Sequence, residues 1–114
     1  MQIQKFEDII AWQKAKDLTI ICYTKFSEIR DFSFRDQILR AVVSIMNNVA
    51  EGFERKGNKE FKNFLFIAKG SCGEVRSMLY IALELKYISD EEYNNLNTRC
   101  LEISKILSGF IKKL

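Results

Sequence analysis

Apolar residues recur at intervals of three and four through every long stretch of this chain, interrupted only by short turns. That spacing gathers them on one side of an α-helix and leaves little room for any other element. The clearest case is Tyr93, Leu96, Cys100, Ile103, Leu107, Phe110 and Leu114, spaced 3-4-3-4-3-4 as in a coiled-coil seam. No proline occurs in the 114 residues. An interior proline costs a helix about 3 kcal/mol, so its absence fits an all-helical chain.

The periodicity predicts four helices. Helix 1 runs from about 8 to 29 on the stripe Ala11, Ala15, Leu18, Cys22, Phe26 and Ile29. Helix 2 begins at Ser33, with Asp36 three residues on as a variant capping box, and ends near Arg55 before Gly57. Helix 3 takes Asn58 as its N-cap and reaches about Lys86; its main stripe runs from Phe61 through Leu65, Ala68, Cys72, Val75 and Leu79 to Ala82. Ser89 and Glu92 form a full capping box for helix 4. Turns this short force antiparallel neighbours, so residues 1–114 are expected to form one domain, an all-α up-down-up-down four-helix bundle.

Helix 2 is apolar around most of its circumference. Phe34, Ile38, Val42, Ile45, Val49 and Phe53 make one face, and Leu39, Val43, Met46 and Ala50 an adjoining one. The remaining strip holds Gln37, Arg40, Ser44, Asn48 and Glu51, with Asn47 at its edge. A helix of this kind is buried against several neighbours, and polar groups on it need partners or cost about 1–3 kcal/mol each. With helices 2 and 3 antiparallel about Lys56, the strip is expected to meet Ser71 and Glu74, through an Arg40–Glu74 ion pair and a Ser44–Ser71 approach. Such a strip is either a buried hydrogen-bond network or a surface for a polar ligand; the network is the expectation, with Arg40, Ser44, Asn48, Glu51, Ser71 and Glu74 as the structural polar seam.

Net charge is +3, which permits an acidic partner without requiring one. Cys22, Cys72 and Cys100 are odd in number, lack metal-ligand spacing and fall on apolar stripes, so they read as buried free thiols in a reducing cytoplasm. Glu7 and Asp8 break any early apolar run, and no uncharged stretch approaches the roughly 20 residues of a membrane span, so neither a signal peptide nor a membrane association is expected. The residue content speaks against catalysis. There is no histidine for a Glu-x-x-His metal pair or a Cys–His nucleophile, and no glycine loop for phosphates. No enzyme activity, cofactor or metal is expected.

Specific segments resemble a known family. They are Phe6-Glu7-Asp8-Ile9 leading to Trp12-Gln13-Lys14-Ala15; Gln37-Ile38-Leu39-Arg40-Ala41; Ser44-Ile45-Met46-Asn47-Asn48-Val49-Ala50-Glu51-Gly52; Lys59-Glu60-Phe61, Phe64-Leu65, Ile67-Ala68, Gly70-Ser71 and Glu74; and Tyr87-Ile88-Ser89. Over nearly its whole length the chain is similar to the four-helix bundle proteins encoded within intervening sequences of bacterial 23S ribosomal RNA genes. Met46 stands where many relatives carry proline, which should leave helix 2 straighter, and Gly73 where alanine is commoner. The resemblance implies a bundle that assembles into a ring, most often a homopentamer. A similar fold occurs in the accessory protein of diversity-generating retroelements, which binds nucleic acid and a reverse transcriptase.

Two functional readings follow. Arg55, Lys56, Lys59 and Lys62 cluster around the helix 2–3 turn and suit phosphate contacts with structured RNA or DNA; Lys112 and Lys113 are a second, poorer candidate. Phe53 and Phe61 beside them lie on core stripes and are not expected to stack on bases. Surplus apolar residues Ile10, Ile20, Ile21, Ile67, Ile81 and Leu85 exceed what one bundle core needs, so contacts between copies are expected, with Ile20, Ile21 and Ile81 at the interface. The favoured function is a homo-oligomer binding RNA or DNA through backbone contacts. The alternative is an oligomeric scaffold or adaptor for another protein.

Overall fold

The computed structural model describes residues 3–114. A 3-10 turn at Phe6–Asp8 precedes four helices: α1 (Ile10–Phe26), α2 (Phe32–Glu54), α3 (Asn58–Glu84) and α4 (Asp90–Lys112). Each helix packs on its chain neighbours and α4 closes against α1, giving the antiparallel bundle, 43 × 22 × 19 Å in extent. The expected stripes meet along the axis: Leu18 and Phe26, Ile38 and Ile45, Leu65 and Leu79, Leu96 and Ile103 are all sealed from solvent. Cys22, Cys72 and Cys100 lie among them as free thiols. Burial pushes the thiols of Cys22 and Cys72 up to about 12, and raises that of Cys100 too, so all three stay protonated and unreactive.

The helix ends depart from expectation where a distant residue intervenes. Helix 1 starts two residues late, because Ile9 is extended (φ −77°, ψ 121°) and turns its side chain into the core, while Phe6 stacks edge-on against Trp12 at 5.1 Å. It stops at Phe26, leaving Ile29 in the loop. The cap of α2 is Asp31 and not Ser33: one Asp31 carboxylate oxygen accepts from the Phe34 amide at 3.2 Å and the other from the Tyr87 hydroxyl at 2.7 Å. Gly57, at φ 98°, caps α3 in place of Asn58, which is already helical. The same helix ends at Glu84. Lys86 adopts a left-handed φ of 62°, and the amides of Lys86 and Tyr87 turn back to the carbonyls of Leu83 and Ala82. The Ser89–Glu92 capping box forms as read, with Lys25 closing on Glu92 at 2.8 Å.

α2 runs unbroken through Met46. It approaches α3 closely at Gly52, where a Cβ would lie 2.6 Å from the Phe64 Cβ. Thr19, unremarked in the sequence, joins α1 to α2: its buried hydroxyl sits 2.8 Å from the Ala15 carbonyl and 3.4 Å from that of Val42.

Candidate nucleic-acid interface and polar seam

The seam divides into a small inner cluster and a solvated rim. Ser44 and Ser71 meet hydroxyl to hydroxyl at 2.9 Å. Asn48 donates to both the carbonyl (2.8 Å) and the hydroxyl (2.9 Å) of Ser44, and Ser71 donates to the Ile67 carbonyl at 3.2 Å. Since the Ser71 proton points to Ile67, Ser44 donates to Ser71, and among the described residues no buried side-chain nitrogen or oxygen is left without a partner. Arg40 and Glu74 do not pair; both are exposed. On the helical wheel Ser44 and Ser71 face the α2–α3 contact, and Arg40 and Glu74 fall one step further round, in water. Neither side chain therefore incurs the desolvation that a buried pair would. Glu51 is likewise exposed and bonds Arg55 one turn on, at 2.7 Å.

Of the four cations at the α2–α3 turn, Arg55 is already engaged. Besides Glu51, its guanidinium lies over the Phe64 ring, 5.0 Å from the centroid. Lys56 and Lys59 are exposed and in no ion pair. Lys62 is half-buried on the side of α3 turned toward α4. Phe53, Phe61 and Phe110 form edge-to-face contacts of 6.0 and 5.2 Å, so these rings are packing and not platforms for bases.

The Phe61–Phe110 contact also places the end of α4 beside the turn. Lys112 and Lys113 thus share one end of the bundle with Lys5, Arg55, Lys56, Lys59 and Lys62, against Glu7, Asp8, Glu51, Glu54 and Glu60. The opposite end has the reverse balance: Lys25, Arg30, Arg35 and Lys86 against Glu28, Asp31, Asp36, Glu84, Asp90, Glu91 and Glu92. Two candidates some fifty residues apart in the chain are therefore one basic end, which sequence order alone did not reveal.

Ile20 and Ile81 stand about half exposed, at 57% and 48%, as do Ile10, Ile67 and Leu85. Ile21 differs: it is half-buried and packs on the core, so less of it faces outward. Phe32, Phe66, Tyr80 and Leu101 join the exposed set, and no surplus of apolar periodicity marks them in the sequence. Among the described residues no group of three or more His, Cys, Asp or Glu side chains is placed to hold a metal ion, and no helix is long and apolar enough to cross a membrane.

Comparison with curated proteins gives no match. Among solved structures, a protein of unknown function from the S23 ribosomal protein family of Bacteroides thetaiotaomicron VPI-5482 superposes with a TM-score of 0.84 at 25% identity, covering 90% of this chain and 96% of that one. A sequence model described as 23S rRNA-intervening sequence protein matches residues 7–109. That match takes in α1 to α3 and α4 as far as Gly109, with the Ser44–Ser71 contact and the basic turn, and the chain belongs to the family of 23S rRNA-intervening sequence proteins.

Proposed function

We infer that this is a non-catalytic, homo-oligomeric cytoplasmic protein that binds RNA or DNA through the phosphate backbone. The observation that carries the reading is the charge polarity of the bundle, with unpaired Lys56, Lys59, Lys112 and Lys113 gathered at one end. A ring of copies, five being the number the family resemblance favours, would repeat that end around an axis and strengthen its field. The ribosomal family name of the structural relative makes structured RNA the first probe.

No element of the bundle resembles a base-reading motif, so phosphate contacts should dominate, with little sequence preference and strong salt dependence. The test is a titration of labelled structured RNA and duplex DNA at two salt concentrations, with wild type and a variant carrying alanine at Arg55, Lys56, Lys59 and Lys62. Wild type should bind at low salt, and the variant should bind more weakly with a shallower salt slope. No wild-type binding at low salt would remove the nucleic-acid reading. The exposed apolar residues of α1 and α3 would then favour the alternative, an oligomeric adaptor for another protein.

A further inference from the structure

We propose that the outer groove between α3 and α4 is a track for a single nucleic-acid strand, with phosphates on a ladder of cations and bases on exposed aromatic rings. It rests on the nucleic-acid reading above and moves most of the site away from the turn.

One stripe of α3 runs Lys62, Phe66, Lys69, Gly73, Arg76, Tyr80, spaced 4-3-4-3-4. It turns toward α4: Arg76 Nε donates to Asn97 Oδ1 at 3.1 Å, and the Tyr80 ring lies 5.6 Å from that of Tyr93. The stripe alternates a cation with an aromatic or nothing. Its cations recur about every 10 Å, and its whole length is about 27 Å. Those two contacts also fix the antiparallel register of α4, which brings Lys105 level with Lys69 and Lys112 level with Lys62. Ser104, Ser108 and Asn97 lie between them, half-buried, as hydrogen-bonding groups, with the exposed Leu101 between Asn97 and Lys105 as the apolar point of the α4 side.

Among the described residues, Lys62, Lys69, Arg76, Lys105 and Lys112 form no ion pair, whereas Lys14, Lys16, Lys25, Arg35 and Arg55 all do. Nor does a carboxylate intrude. Within the span of α3 from Lys62 to Tyr80 the acid is Glu74, on the flank toward α2. On α4 between Asn94 and Lys112 it is Glu102, which faces α1 and pairs with Lys14 at 3.4 Å. Unneutralised charge of one sign along a groove is what a phosphate chain requires.

Phe66 and Tyr80 decide between a single strand and a duplex. They are 56% and 54% exposed on the same stripe as the cations. Bases of a single strand can stack on such rings, and those of a duplex cannot reach them. Gly73 completes the picture. A Cβ there would meet nothing within 4 Å, so no packing within the chain calls for glycine. Its bare backbone leaves open floor between Lys69 and Arg76 for a sugar or base. The apolar residues Ile67, Ile81 and Leu85 lie about 130° round the helix, so the track and a contact between copies use different sides of α3.

The experiment is fluorescence anisotropy with a labelled oligouridine of about 16 nucleotides, at two salt concentrations, with a duplex of equal length and polyglutamate as competitors. Lys69→Ala with Lys105→Ala should weaken binding about tenfold or more and cut the salt slope by about 1.4, at about 0.7 per lost single-strand contact. Phe66→Ala should weaken it about tenfold, with recovery in Phe66→Trp. Gly73→Leu should block the floor and reduce binding while raising the melting temperature, an outcome misfolding cannot mimic. Replacing Arg55, Lys56 and Lys59 by alanine, with Lys62 kept, should have the smaller effect. If that turn variant loses binding and the groove variants keep it, the track is overturned and the proposed function stands. If wild type binds neither strand nor duplex, both fall. Tighter binding to duplex with no effect of Phe66→Ala, or equal displacement by polyglutamate, overturns the track as well.

Discussion

Ser44 sits at the centre of the polar chain between α2 and α3, accepting from Asn48 and donating to Ser71. Removing its hydroxyl leaves Asn48 and Ser71 each short of a partner, so Ser44→Ala should cost about 1–2 kcal/mol. Glu74→Ala should stay within about 0.5 kcal/mol, because its carboxylate is solvated and in no ion pair. Chemical denaturation of the two variants checks both values; a larger loss for Glu74 would restore the ion pair with Arg40. The strip on α2 was legible as an interruption of an apolar helix, and so was the approach of Ser44 to Ser71. Which strip residues turn inward was not, because that depends on a few tens of degrees of rotation of α2 against α3. Short side chains fill the narrow contact, and the long charged ones escape to water.

Glycines show how differently one residue type is used along a helix. At Gly52 an added methyl would collide with the Phe64 Cβ at 2.6 Å and the Phe61 ring at 3.0 Å, both fixed by the α2–α3 packing. Gly52→Ala should therefore destabilise by about 1–3 kcal/mol. Gly73→Ala meets open space and should stabilise by about 1 kcal/mol through helix propensity alone. Thermal melts should shift in opposite directions; the same sign for both would mean that packing does not separate them. Element type and number followed from periodicity, and the α4 cap from a local signal, Ser89 with Glu92. The α2 cap was misplaced because Asp31 is held by Tyr87, 56 residues away. The α3 terminus was misplaced because a lysine, not a glycine, takes the left-handed position.

At the scale of the molecule, charge and apolar surface sort by direction. The bundle is basic at the end holding the α2–α3 turn and acidic at the other, while the exposed isoleucines lie along its sides. The fold and the surplus of apolar residues were legible because each helix carries its own pattern. The α3–α4 groove was not, since Lys62, Lys69 and Arg76 become a track only once α4 is laid alongside with Lys105 and Lys112. The sides bear on assembly. An obligate interface between copies buries about 2,000 Å² or more and is apolar. Ile20 on α1 and Ile81 on α3 suit a head-to-tail contact, because two different patches joined by rotation close into a ring. Sedimentation equilibrium should give a mass several times the 13.4 kDa of the chain, with five copies the first expectation. Ile20→Glu with Ile81→Glu should dissociate the assembly without unfolding the monomer, since both side chains are already about half exposed. Dissociation should also weaken nucleic-acid binding by far more than two surface charges explain, because a ring presents its cations several times over at high effective concentration. A wild-type monomer at micromolar concentration would end the ring. An assembled double variant would place the interface elsewhere, with Ile67 and Leu85 the next residues to change.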